Sequence, residues 1–238
     1  METALPALLP LECLVELNES HYGAQRTFWA DENARGLFAA EARLLERLAI
    51  RDGRALCVAC GAGREALALA GRGFDVVGVE AVGSFVEHAR RCAVETGARA
   101  RFVRGDATRL AEALAAGGRF DLITLLNVAY SYVPTRAARV GLLRECRRRL
   151  AEGVRCVVSF VTSEPSRPER LLRALLRPAA LVLGNRGHEL GDRVIGTGNF
   201  IHFFPSMAVV DDEAREAGFA RRELFLEADY GPLGVLSE

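Results

Sequence analysis

The chain has 238 residues, 50% of them hydrophobic, with 31 basic and 31 acidic side chains and no net charge. That size and apolar content suit one large α/β unit with ample core. The charge balance excludes the basic excess that non-specific nucleic-acid binding needs, so no nucleic-acid partner is expected. No apolar run is long enough to span a bilayer, and no membrane partner is expected. Every basic residue counted is arginine, the usage of a GC-rich bacterial genome. Met1 to Pro10 lack the positive n-region of a signal peptide, so the expected location is cytoplasmic. Cys13, Cys57, Cys60, Cys92, Cys146 and Cys156 sit in mostly apolar contexts and are expected as free thiols.

Apolar residues recur at helical spacing from Leu37 to Leu48, and Asp52-Gly53 makes a turn. Ala55 to Ala59 predicts a buried strand running into Gly61-x-Gly63. Arg64 to Ala70 predicts a helix stopped by Gly71-Arg72-Gly73. A strand over Phe74 to Val79, a helix over Phe85 to Thr96 and a strand over Ala100 to Val103 follow, then a short helix to Ala116. Phe120 to Leu126 is a fourth strand. Thr135 is a candidate N-cap for a helix to Leu150, and after a turn at Gly153 a fifth strand covers Arg155 to Val161. This alternation with short connections implies a parallel sheet with helices on both faces.

Beyond the fifth strand, Ser166-Arg167-Pro168-Glu169 is a capping box with proline at the helix start. It opens a helix carrying Leu171, Leu172, Leu175 and Leu176. Gly184 to Gly198 is polar and glycine-rich, a loop or hairpin. Val209 to Ala217 is a last helix, and Ala220 to Glu227 with Gly234 to Ser237 are a closing pair of strands.

The pattern Gly61-x-Gly63-x-x-Ala66 stands at a strand-to-helix junction. There, glycines let the backbone approach a ligand and the helix N-terminus offers free N–H groups to an anion. Glu80 closes the next strand, where a carboxylate can accept hydrogen bonds from ribose hydroxyls. The signature fits both NAD and S-adenosylmethionine. About fifty residues precede the first strand, which fits a separate N-terminal cap. Gly105-Asp106-Ala107 after strand three supplies a carboxylate for an adenine amino group. These two features favour S-adenosylmethionine.

The stretch Leu56-Cys57-Val58-Ala59-Cys60-Gly61-Ala62-Gly63 resembles motif I of the class I S-adenosylmethionine-dependent methyltransferases. Phe102-Val103-Arg104-Gly105-Asp106-Ala107 is similar to their adenine-binding segment. Phe120 to Asn127 resembles strand four and its exit loop, and Leu142 to Leu150 the helix before strand five. Within the family, the Val58-Ala59-Cys60-Gly61 variant resembles small-molecule N-methyltransferases of the glycine N-methyltransferase type. The resemblance implies a Rossmann-like, doubly wound, mostly parallel seven-stranded sheet, with an N-terminal helical lid and an insertion after strand five. It implies cofactor contacts from Tyr22, Arg35, Ala59, Cys60, Gly61, Gly63, Glu80, Asp106, Ala107 and Leu125. Arg35 would hold the methionine carboxylate as a bidentate fork, and Asn127 and Tyr132 would face the acceptor. One departure stands out: the family carries an acidic residue where this chain has Cys57.

Methyl transfer from a sulfonium asks the protein to position two reactants and exclude water. A hydroxyl acceptor would add a general base; His202 and Tyr130 are the candidate catalytic residues, with His188 a further one. His202 in Phe200-Ile201-His202-Phe203-Phe204 and Tyr130 each have packing as the competing role. Cys57-x-x-Cys60 has metal and redox spacing, but no second Cys or His pair follows and the pair ends a strand, so no metal is expected. Arg147, Arg148 and Arg149, and the row Arg170, Arg173 and Arg177, read as solvated helix faces.

A single methyltransferase domain over 1–238 is expected: a helical cap at 1–50, a cofactor-binding core at 51–161, an acceptor-site insertion at 162–205, and a closing helix and strand pair at 206–238. The expected activity is methyl transfer to an amine or hydroxyl of a small molecule, a bacterial secondary metabolite. The alternatives are an NAD(P)-dependent oxidoreductase and a non-catalytic S-adenosylmethionine-binding protein. The oligomeric state is left open.

Overall fold

A computed structural model describes residues 5–24, 33, 35–114, 118–183, 185, 187–196 and 198–238. The end of the expected short helix at Ala116, and parts of the cap and of the glycine-rich loop, lie outside the described residues. Nine strands occur among the described residues, seven of them in one sheet: β1 (Gly53–Val58), β2 (Phe74–Glu80), β3 (Ala100–Arg104), β4 (Phe120–Leu125), β5 (Leu150–Ser159), β6 (Asp192–Ile195), β7 (Asn199–His202), β8 (Arg221–Glu227) and β9 (Gly231–Ser237). The sheet order is β3-β2-β1-β4-β5-β9-β8, with β6 and β7 forming a separate hairpin. The first five strands run parallel, and β9 enters antiparallel beside β5.

The helices are α1 (Leu5–Leu8), α2 (Leu11–Ala24), α3 (Ala39–Leu48), α4 (Arg64–Gly71), α5 (Gly83–Thr96), α6 (Leu110–Ala113), α7 (Arg136–Arg149), α8 (Arg167–Val182) and α9 (Met207–Glu216). Side chains alternate along β1, as the two-residue period of a strand requires. Leu56 and Val58 pack with α7 and α9 on one face. Ala55 and Cys57 pack with α3, α4 and α5 on the other. Both faces of the parallel strands are therefore covered, which is why those strands read as nearly unbroken apolar runs.

Thr135 caps α7 through its hydroxyl, which accepts from Ala138 N–H. Both halves of the capping box at Ser166 and Glu169 form. β5 departs from expectation: it begins at Leu150, straight from the end of α7, with Gly153 inside it. Leu150 pairs with Phe120 and is fully buried, while the register then shifts so that Leu122 meets Arg155. Gly153, at φ +77°, supplies the left-handed residue that this bulge uses.

The insertion braces the N-terminal helices. Phe200 of β7 packs with Leu14 of α2, Phe200 N–H donates to Asn18 Oδ1 at 2.7 Å, and Asn185 Nδ2 donates to the Pro6 carbonyl at 2.7 Å. Among the described residues no helix is long and apolar enough to cross a membrane, and all six cysteines are free.

Candidate active site

β1 lies between β2 and β4, so the chain leaves it toward opposite edges of the sheet, and the carboxyl ends of these strands open a crevice. The loop after β1 turns sharply, with Ala59 at φ +53°, Gly61 at +55° and Gly63 at +97°. A Cβ on Gly63 would lie 3.0 Å from Ala89 Cβ and 3.2 Å from the Phe102 ring. Its bare backbone thus lets α4 begin close against α5 and β3. A Cβ on Gly61 would meet nothing, because that residue faces open space.

That space is a cavity of about 180 Å³, walled by the Ala59 to Ala62 loop, Glu80, Gly105 to Thr108, and Leu126 with Asn127. Glu80 accepts from Gly61 N–H through Oε2 and from Val82 N–H through Oε1, both at 2.9 Å. Burial raises its carboxyl pKa, and these backbone donors pull it back down. Asp106 Oδ1 accepts from Thr108 N–H at 2.8 Å, capping the 3₁₀ turn Ala107–Arg109.

The other end of the cavity is aromatic and apolar: Tyr22, Val82, Phe85, Tyr132, Val133 and Pro134, with Asn18 and Glu19 from α2. Tyr22 stands edge-on to Tyr132, ring centroids 5.6 Å apart, and 6.5 Å from Phe85. Burial raises the Tyr22 phenol above its ordinary range. Asn127 and Val128, between the two ends, both adopt positive φ (+52° and +56°). A β-branched residue in that region is strained. The turn is clamped: Asn127 N–H donates to Tyr230 Oη at 2.7 Å and Val128 N–H to Ser159 Oγ at 2.6 Å.

Behind the loop lies a buried polar cluster that sequence patterns did not reveal. Arg64 makes two bonds of 2.7 Å to the Glu41 carboxylate, and Tyr230 donates to the same carboxylate at 2.7 Å. Glu65, in the first turn of α4, accepts from Thr124 Oγ1 at 2.8 Å. Its carboxyl is pushed up to about 7, first by burial and then by Glu41; the Cys57 thiol is among its hydrogen-bond partners. Arg64 and Glu65 both line the cavity, as do Asn18, Glu19, Asn33 and Phe85. The only signal for Glu65 was an acid at a helix N-terminus, a common placement.

Of the residues singled out from sequence, the fold gathers Tyr22, Ala59, Cys60, Gly61, Glu80, Asp106, Ala107, Asn127 and Tyr132 on this one wall. Five lie elsewhere. Arg35 sits in an exposed turn, and the arginine on the wall is Arg64. Gly63 lies beneath the loop, and Leu125 faces the core. The expectation for His202 is corrected: it is buried, with Nδ1 2.7 Å from Asp192 Oδ1, in the packing around Phe204. Tyr130 is likewise a core residue. It donates to Glu213 at 2.6 Å, beside the Arg139 guanidinium that Glu213 also holds. His188 is partly buried, and that burial lowers its pKa.

A family described as a methyltransferase domain matches residues 55–153. The chain is 30% identical over 215 residues to the ubiquinone biosynthesis O-methyltransferase of Psychrobacter arcticus, covering 87% of this chain and 75% of the relative. The Psychrobacter cryohalolentis protein of the same name matches equally. Among solved structures, a SAM-dependent methyltransferase from Methanosarcina mazei superposes with a TM-score of 0.58 at 18% identity, over 84% of this chain and 96% of that one. The CcbJ methyltransferase of Streptomyces caelestis does so at 0.56 and 17%, over 82% and 87%. These two likenesses carry the fold.

The wall fits the cofactor of such enzymes. S-adenosylmethionine is a nucleoside bearing a sulfonium and an ammonium. Facing it are the carboxylates Glu19, Glu65, Glu80 and Asp106, while the Arg64 charge is taken up by Glu41. Asn33 Oδ1, buried on the wall, has no hydrogen-bond partner among the described residues and stands open to a donor. The acidic cleft at the sheet's switch point and the relative matched along three quarters of its length agree. The chain belongs to the class I S-adenosylmethionine-dependent methyltransferases.

Proposed function

We propose that the protein transfers the methyl group of S-adenosylmethionine to a hydroxyl or amine of a small, largely apolar bacterial metabolite. One observation carries this reading: a single cavity runs from the nucleotide loop to the wall of Tyr22, Phe85, Tyr132, Val133 and Pro134. The first end suits the cofactor, and the second is an apolar seat for an acceptor. The family sets aside the nicotinamide alternative and the reading of a protein without catalysis.

In this scheme Glu80 accepts from the ribose hydroxyls, and Asp106 with Ala107 meets the adenine edge. The backbone of Ala59, Cys60 and Gly61 follows the cofactor's middle. Glu65 and Asn33 Oδ1 receive the ammonium, the task left open by Cys57. The bound cofactor supplies a methyl already activated on sulfur, so the acceptor lone pair forms the new bond as the C–S bond breaks and S-adenosylhomocysteine leaves. Asn127 orients the acceptor, and α2 covers it and excludes water. Glu19 takes up the acceptor's proton, since His202 and Tyr130 are committed to the core. Among the described residues of 162–205 none lines the cavity; the segment acts at one remove, by holding α2 through Asn18.

The Psychrobacter relatives are O-methyltransferases, which favours a hydroxyl. The motif I resemblance to glycine N-methyltransferase-like enzymes keeps an amine as the second reading. Turnover assays with panels of phenols, catechols and apolar amines, read as S-adenosylhomocysteine formed and methylated product by mass, test the choice. Turnover of an apolar hydroxyl or amine is expected. Binding of S-adenosylhomocysteine with no turnover of either class would contradict the acceptor assignment while leaving the cofactor site intact.

A further inference from the structure

α8 carries three stripes at helical spacing. Glu169, Arg173, Leu176 and Ala180 fall at i, i+4, i+7 and i+11 and, with Ala179 beside them, are the partly or fully buried ones, turned to the protein. Leu171, Leu175, Pro178 and Val182 fall at the same spacing on another side, and they face water: Leu171 is 64% exposed, Leu175 68% and Val182 86%. Leu172, Leu183 and, from the neighbouring α1, Leu8 are also exposed. So contiguous an apolar ridge on a soluble surface marks an interaction site. The third stripe is Arg170 and Arg177, with Arg167 a turn earlier, all exposed. The helix thus carries four arginines against one acid, Glu169, which is engaged by Ser166 and Arg193. Glu164, just before the helix, lies 3.7 Å from Arg170.

We propose that α8 docks the enzyme on an anionic lipid surface, its leucine ridge entering the headgroup boundary and its arginines meeting lipid phosphates. Lying on a bilayer needs an apolar face with a basic flank, not a span-length helix. The arginine stems can cover apolar surface while their heads reach phosphate. The local positive charge stands out on a chain of zero net charge and complements anionic headgroups. A second copy is the less favoured occupant, because a two-fold contact through this ridge would bring two arginine rows together. The inference does not depend on the acceptor, since α8 lines no part of the cavity.

Cosedimentation of the full chain with vesicles tests it. Binding to equal parts phosphatidylglycerol and phosphatidylcholine is expected, and binding at least about tenfold weaker to phosphatidylcholine alone or in high salt. The double change Leu171→Asp with Leu175→Asp should lower binding by about tenfold or more. Arg170→Gln with Arg177→Gln should remove the preference for anionic vesicles. Both variants alter exposed positions and should keep the native circular dichroism and melting temperature. No vesicle binding by the native chain, or equal binding by native chain and both variants, would overturn the proposal. So would a native dimer that Leu171→Asp with Leu175→Asp renders monomeric.

Discussion

Burial holds the Glu65 carboxyl up near 7, with Glu41 adding to the effect. In the unfolded chain it would titrate at the ordinary carboxylate value of 4.5. The native state therefore keeps a proton that the unfolded state loses between those values. The stability linked to Glu65 is fully present below about 4.5 and is lost as pH rises through about 7. The span corresponds to about 3 kcal/mol. Glu65→Gln should flatten the fall in melting temperature across that window and, without cofactor, melt higher than the native protein at pH 8; identical pH profiles for the two would refute this. Cys57 was legible in sequence as a missing acid. That the carboxylate beside it would come from Glu65 was not, because only the packing of α4 against β1 and β4 brings Cys57, Thr124 and Glu65 together.

In the proposed scheme the element that most directly joins cofactor to acceptor is the turn after β4. Its two left-handed residues, Asn127 and Val128, are held by hydroxyls from β5 and from the β8–β9 turn. Tyr230→Phe removes the acceptor for Asn127 N–H and the donor to Glu41, at a cost of about 1–3 kcal/mol in stability. Because the Tyr230 hydroxyl bonds the turn and the Glu41 cluster behind it, while its ring, kept in phenylalanine, packs near Phe38, kcat should fall about tenfold through misplaced acceptor geometry. The affinity for S-adenosylhomocysteine should stay within about threefold. Equal losses in both would mean that Tyr230 supports the whole cavity rather than the turn. At this scale the sequence was informative: apolar periodicity and caps located the sheet strands and the long helices from α3 onward. It failed at β5, where a bulge hides the strand's start. It did not separate packing from chemistry at His202 and Tyr130, where Asp192 meets the His202 Nδ1 and Glu213 accepts from the Tyr130 hydroxyl, partners 10 and 83 residues away.

At the scale of the molecule, Glu41 ties three regions together. It lies on α3 in the cap, binds Arg64 on α4 in the core and accepts from Tyr230 in the closing hairpin. With the bonds by which 162–205 holds the N-terminal helices, this leads us to propose that the divisions 1–50, 51–161, 162–205 and 206–238 are parts of one cooperative domain. Glu41→Ala leaves the Arg64 charge buried and unpaired, costing about 3–5 kcal/mol. In a chain of this size that lowers the melting temperature by roughly 10 °C, in a single transition; a loss of only a degree or two, or two separate transitions, would break the cooperative picture. The loop end of the cavity, which we propose for the cofactor, was the most legible part of the lining, because glycines and strand-end carboxylates have fixed places in a doubly wound sheet. The other end was legible only in part: Tyr22, Asn127 and Tyr132 were named, whereas Asn18, Glu19, Phe85, Val133 and Pro134 were not, since α2 reaches it across the chain through contacts with β7.

The decisive measurement is a calorimetric titration of the native protein and of Glu80→Ala with S-adenosylhomocysteine. One site per chain is expected in the native protein, with affinity weakened by about tenfold or more in Glu80→Ala, whose lost carboxylate would have held the ribose. No binding to the native protein, or equal binding to both, would contradict the placement of the cofactor between the Cys60 to Gly63 loop and Glu80.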